Sequence, residues 1–131
     1  MGRADRPGGL VKAAYCPKRG DLIWLDFTPQ AGHEQSGRRP AAVISRSEYN
    51  RKAGLILACP VTSRQKGYPF EVSLPEGAAI AGVILADQVR SLDWRSRHSE
   101  FIGHLADDVL DEVLSKLSVL IDDEDGRGDQ P

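Results

Sequence analysis

A mainly β domain, in the form of a small curled sheet or barrel covered by one C-terminal amphipathic α-helix, is predicted by three observations. Short apolar segments recur with an alternating pattern, turn residues separate them, and one late segment changes to steps of three and four. At 131 residues the chain is most simply a single domain, long enough to bury a core without disulfides or metals.

The first strand is expected over Asp21 to Phe27, with Leu22 and Trp24 on one face and Ile23, Leu25 and Phe27 on the other. Thr28-Pro29-Gln30-Ala31-Gly32 breaks it. Pro40 to Ser45 and Leu55 to Val61 follow as the second and third strands. Tyr68 to Leu74 alternates, setting Phe70, Val72 and Leu74 against Glu71 and Ser73, and Pro75-Glu76-Gly77 then turns the chain. Ala81 to Val89 is dense in Val, Ile and Leu, as a central strand would be. Phe101 to His104 is a short closing strand. In the helix, Val109, Leu110, Val113, Leu114, Leu117, Leu120 and Ile121 form the apolar stripe, and Asp107 and Asp108 occupy the first turn, where the helix dipole favours anions.

The ends are different in kind. Residues 1–17 are rich in Gly, Pro and Arg without a period and are expected to form a flexible arm. Residues 122–131 are expected to form a solvated acidic tail. The longest apolar run, around residues 79–86, falls far short of the roughly 20 residues that span a bilayer, and no apolar signal segment opens the chain. Cys16 and Cys59 each precede a proline and follow neither a disulfide framework nor a metal-ligand spacing, which suits a reduced, cytoplasmic setting. The net charge of −2 hides an asymmetry: residues 1–104 carry 15 Lys/Arg against 10 Asp/Glu, and residues 105–131 carry 2 against 9. A mildly positive body can focus its field onto a groove and attract a polyanion.

Two polar segments stand at predicted strand ends. Gly32-His33-Glu34-Gln35-Ser36-Gly37-Arg38-Arg39 leads into the second strand, and Thr62-Ser63-Arg64-Gln65-Lys66-Gly67 leaves the third. A carboxylate, a guanidinium and a hydroxyl can together handle a phosphodiester. In RNA the ribose 2′-hydroxyl attacks its own phosphate, so the protein needs no metal. It must take the 2′ proton, stabilise the charged phosphorane and help the 5′-oxygen leave. Arg39 suits phosphorane stabilisation because guanidinium matches phosphate in a bidentate way. Glu34 or His33 suits the base, and Thr62 can donate to a phosphate oxygen. Each has a plain alternative: Arg39 a surface ion pair, Glu34 and Gln35 a solvated loop, Thr62 a turn hydroxyl bonded to its own backbone. A third polar segment, Asp87 to Arg97, carries Gln88, Arg90, Trp94, Arg95 and Arg97, which suit either single-stranded base contacts or a solvated connector. Trp24 and Trp94 suit core or rim better than base stacking. His98 and His104 are too isolated for a metal site, and no metal or other cofactor is expected.

In this order and spacing, Lys18-Arg19-Gly20-Asp21-Leu22-Ile23-Trp24-Leu25-Asp26-Phe27, Gly32 to Ser45, Lys66-Gly67-Tyr68-Pro69-Phe70-Glu71-Val72 and Ala86-Asp87-Gln88-Val89-Arg90-Ser91 resemble the MazF/PemK toxin family. The C-terminal helix ending Leu117-Ser118-Val119-Leu120-Ile121 resembles its last element, and the resemblance covers residues 18–121. It implies an SH3-like β-barrel of the PemK/CcdB kind with a C-terminal helix, acting as a homodimer. It implies a metal-independent endoribonuclease that cuts single-stranded RNA at short sequences, leaves 2′,3′-cyclic phosphate and 5′-hydroxyl ends, and is inhibited by a cognate antitoxin. By the same resemblance Arg39 and Thr62 are the catalytic pair and Glu34 the loop glutamate. His33, Gln35, Arg38, Lys66, Gln88 and Arg95 are expected along the bound RNA. His33 departs from the small serine usual at that position. The alternatives are a CcdB-like protein-binding toxin that poisons gyrase on the same fold, which needs neither Arg39 nor Thr62, and an inactive SH3-like binding module, since a barrel alone implies no function.

Overall fold

The computed structural model describes residues 15–27 and 37–123. Among these residues, seven antiparallel strands and two α-helices run in the order β1 (Asp21–Asp26), β2 (Arg38–Val43), α1 (Ser47–Ala53), β3 (Leu55–Thr62), β4 (Glu71–Ser73), β5 (Val83–Leu85), β6 (Arg90–Asp93), β7 (Glu100–His104) and α2 (Asp107–Ile121). The sheet order is β4-β5-β3-β2-β1-β7, and β6 pairs with β3 beside β5. β3 is the hub. One edge pairs with β2 at Ala41↔Pro60 and Val43↔Ala58. The other pairs with β6 from Leu55↔Asp93 to Ala58↔Arg90, then with β5 at Val61↔Ile84 and Thr62↔Val83.

The alternation expected in the first strand sorts its residues into two cores. Leu22 joins Ala42, Cys59, Val72 and Ile84 in one, and α2 covers that core with Val109 and Val113. Ile23, Leu25 and Phe27 join Ala41, Val43, Ile56, Ala58, Leu92 and Trp94 in the other. Ala41, Ala42, Ala58 and Cys59, all fully buried, keep β2 and β3 slim where both faces must pack. Burial pushes the Cys59 thiol up to about 12, so it behaves as an inert core residue.

Two expected strands are corrected. The segment Ala81 to Val89 is not one strand, because β5 ends at Leu85 and Ala86–Gln88 form a 3₁₀ turn. The reason lies in β3: its one edge must accept β5 at its C-terminal half and β6 at its N-terminal half, so the chain has to turn between them. Tyr68 to Leu74 likewise shortens to Glu71–Ser73, since Glu71 N–H donates to the Tyr68 carbonyl at 3.1 Å in a turn. The connector reading of Asp87 to Arg97 misses β6 within it. The short α1 ends at Gly54, whose φ of +72° suits a glycine C-cap.

Buried polar groups tie residues 15–18 to the sheet and to α1. Asp21, with no exposed surface, accepts hydrogen bonds from Tyr15 Oη at 2.5 Å, Lys18 N at 3.1 Å and His104 Nδ1 at 2.9 Å. Tyr15 and Cys16, the described end of the expected arm, pack against the second core. Asn50 is also fully buried. Its Oδ1 accepts from Ser45 Oγ at 2.6 Å, its Nδ2 donates to the carbonyls of Pro17 and Ser45, and its carbonyl accepts from Trp94 Nε1 at 2.9 Å. Every side-chain polar atom of Asn50 is satisfied, as a buried amide requires.

At the outer end of β1, Asp26 takes Arg38 Nη1 at 2.9 Å and His98 Nδ1 at 2.8 Å. Arg38 Nη2 also donates to the His98 carbonyl at 3.0 Å and contacts Glu100 at 3.2 Å. His98 has a φ of +53°, a left-handed conformation that these contacts offset. Arg97 Nη1 donates to the carbonyls of Asp26 and Phe27 at 2.9 and 2.7 Å.

Two outcomes are expected. Ile56 is fully buried between sheet neighbours, so Ile56→Ala should lower unfolding free energy by about 2–5 kcal/mol in urea titrations. The hydrogen bonds from His98 and then Arg38 hold the Asp26 carboxyl below its ordinary 3.8. A lowered folded-state pKa adds stability that is fully present above the ordinary value and is lost as pH falls below that value through the lowered folded-state one. The stability gap between wild type and Asp26→Asn should therefore be widest above about pH 5 and shrink below about pH 4, measured by urea unfolding across pH.

Candidate active site

The ends of β2 and β3 form the floor of a cleft of about 630 Å³, lined by Trp24, Arg39, Pro40, Val61, Thr62, Ser63, Arg64, Ile80 and Ala81. Antiparallel register explains why Arg39 and Thr62 meet. Ala41 stands opposite Pro60 at the end of that pairing, and Arg39 and Thr62 each lie two residues further out along their strands, where both line the cleft. Trp24, opposite Pro40 on β1, is half-buried and walls the cleft, which settles its place as rim.

Adjacent arginines have different fates. Arg38 is held by Asp26, Glu100 and the His98 carbonyl. Arg39 is exposed and, among the described residues, has no hydrogen-bond or ion-pair partner, so its five donors remain available to an anion. Thr62 is half-buried at the last position of β3. Its Oγ1 accepts the Arg64 N–H at 3.2 Å, which is the turn bond anticipated for this residue. The bond uses an oxygen lone pair and leaves the hydroxyl proton free to donate. Gly82, at φ +134°, lets β5 approach closely here: a Cβ would stand 2.5 Å from the Thr62 carbonyl oxygen.

Arg64 and Ser63 line the same cleft, and Lys66 sits on the exposed loop that continues from them, with its Nζ 5.8 Å from the Tyr68 ring centre. Other expected contacts lie elsewhere. Gln88 is exposed at the end of the 3₁₀ turn and is not a cleft-lining residue. Arg95 stacks 4.9 Å over the Trp94 ring and donates to the Arg51 carbonyl at 2.9 Å. It lies beyond the end of β3 opposite to Thr62, a strand length of roughly 23 Å away. Glu34, Gln35 and His33 fall outside the described residues. His98 and His104, isolated in sequence, are each paired with a carboxylate, Asp26 and Asp21. The participation of Glu71, whose carboxylate reaches the loop after Thr62, has no sequence signal beyond being the polar side of an alternating strand.

A guanidinium with no partner among the described residues and a hydroxyl donor line one open cleft flanked by further cations, groups whose chemistry suits a phosphodiester. Comparison with known proteins identifies the family. Residues 18–121 match the model of the PemK-like, MazF-like toxin of type II toxin–antitoxin systems. The chain is 50% identical over 107 residues to the Endoribonuclease toxin MazF of Escherichia coli strain K12, covering 82% of this chain and 96% of that protein. It is 34% identical to the Endoribonuclease EndoA of Bacillus subtilis strain 168, over 78% of this chain and 91% of that one. Among solved structures, a MazF crystal structure from Deinococcus radiodurans superposes with a TM-score of 0.75 at 59% identity, covering 82% of this chain and 98% of that chain. A MazE–MazF crystal structure from the same organism gives 0.75 at 52% identity, over 83% and 98%. The cleft formed by Arg39 and Thr62 thus sits in a chain that belongs to the PemK/MazF family of type II toxin–antitoxin toxins, whose named relatives are endoribonucleases.

Proposed function

We propose that this endoribonuclease toxin cuts single-stranded RNA in the Arg39–Thr62 cleft without a metal, with the ribose 2′-hydroxyl as nucleophile. The single observation that carries the reading is the Arg39 guanidinium in the cleft with Thr62, without a partner among the described residues, next to an Arg38 whose two terminal nitrogens are both engaged. The 2′-oxygen forms its bond to phosphorus, and Glu34, five residues before Arg39 in the chain, takes the proton. Arg39 and the Thr62 hydroxyl stabilise the negative oxygens of the phosphorane. The bond to the 5′-oxygen then breaks and that oxygen takes a proton from water, leaving a 2′,3′-cyclic phosphate and a 5′-hydroxyl.

His33, Gln35, Lys66 and Gln88 flank the RNA along this path. Arg38 and Arg95 reach it only by giving up the carboxylates and carbonyls they now hold. Residues 18–121 form the toxin domain, preceded by an arm whose Tyr15 and Cys16 pack on the second core and followed by an acidic stretch. The toxin acts in the cytoplasm on cellular RNA and is held in check by a cognate antitoxin, as its Deinococcus relative is bound by MazE. It works as a homodimer; the exposed Val119, Leu120 and Ile121 at the end of α2 are apolar surface that a two-fold partner would cover. The gyrase-poison reading gives no purpose to a free Arg39.

Long single-stranded RNA incubated in EDTA should be cut at one short recurring sequence with cyclic-phosphate ends. Arg39→Ala should lower kcat by about 10²–10³-fold, the usual effect of removing a transition-state donor, and Thr62→Val by a smaller factor at unchanged melting temperature. An Arg39→Ala protein that cuts as fast as wild type would overturn the assignment. Sedimentation equilibrium at micromolar concentration should give twice the chain mass of 14.3 kDa.

A further inference from the structure

Ser63 to Gly67 is exposed throughout and contributes nothing to either hydrophobic core, yet both of its ends are tied. At the start, the Arg64 N–H bonds Thr62 Oγ1 at 3.2 Å. At the finish, the Lys66 N–H donates to both carboxylate oxygens of Glu71, at 3.3 and 3.0 Å, and the Gly67 N–H donates to Oε1 at 2.9 Å. Gly67 takes a φ of +84°, a left-handed turn that aims these successive N–H groups at one point. Glu71 itself is only 9% exposed, and its carbonyl accepts Lys116 Nζ from α2 at 2.9 Å. A carboxylate beside Arg64 and Lys66 weakens their attraction for a polyanion, so electrostatics alone disfavours it there. Charge-assisted bonds to backbone N–H groups are what it supplies instead.

We propose that Glu71 is a positioning residue for the cleavage reaction: by holding Lys66 and Gly67 it fixes the loop that follows Thr62, and so sets where Arg64 and the Lys66–Tyr68 pair meet the bases flanking the scissile phosphate. Glu71 touches no substrate; it acts through the loop. The inference rests on the Arg39–Thr62 cleft being the site of RNA cleavage.

The test compares wild type, Glu71→Ala, Glu71→Gln and Lys116→Met as full chains. The readouts are kcat and KM on a short RNA carrying the mapped site, the cleavage map on long RNA, melting temperature, and amide exchange at Lys66 and Gly67. Glu71→Ala should raise KM about tenfold, as expected for losing charge-assisted bonds, relax the map and free both amides, with kcat changed less than about threefold. Glu71→Gln keeps one acceptor and should fall between, which preserves the test if the alanine variant does not fold. Lys116→Met removes the α2 tie and should lower melting temperature while KM and map stay put. Unchanged KM and map in Glu71→Ala, or the same changes in Lys116→Met, overturn the proposal while the cleft reading stands. A folded wild type that neither cuts nor binds RNA overturns both.

Discussion

Hydrogen bonding along both edges of β3 is the constraint on which the rest depends. β2 takes one edge; β6 and β5 share the other in succession. A strand so enclosed has no open edge, its buried residues divide between two cores, and small residues on β2 and β3, Ala41, Ala42, Ala58 and Cys59, stand at the closest approaches. The same arrangement forces the 3₁₀ turn at Ala86–Gln88, since one edge cannot hold two strands without a change of direction. It also carries Thr62, still paired to β5, past the end of the β2 pairing and into the cleft that Arg39 at the start of β2 lines.

Charge is handled by commitment. Most of the described polar groups near the sheet ends are already engaged: Asp21 by Tyr15, Lys18 and His104; Asp26 by Arg38 and His98; Glu71 by Lys66 and Gly67. These bonds fix the backbone around the cleft, and among the described residues none engages Arg39. An engaged guanidinium must break existing bonds before it can bind phosphate, whereas a free one gives up only water. The contrast between residues 38 and 39 is therefore functional in kind, though both are arginine.

Much of this was legible beforehand. The two-face division of Asp21 to Phe27, the third strand and the helical stripe from Val109 to Ile121 follow from side-chain period, a local property of the chain. The motif resemblance singled out Arg39 and Thr62 and implied their roles. What was not legible depended on contacts distant in sequence. The break in Ala81 to Val89 comes from a pairing with β3 more than twenty residues away. The different fates of Arg38 and Arg39 come from Asp26 and Glu100, and Arg95 is drawn aside by Trp94 and Arg51.

The sequence by itself determined the strand-rich pattern, the terminal helix, the family and the residue types able to act on a phosphodiester, because each of these is written in local period or contiguous motif. Only the tertiary structure decided that Arg38 is tied to Asp26 and Glu100, which strand ends share the cleft, and that Glu71 holds the loop after Thr62. Those outcomes depend on antiparallel register and on hydrogen bonds between residues up to 83 positions apart, and no local pattern encodes them.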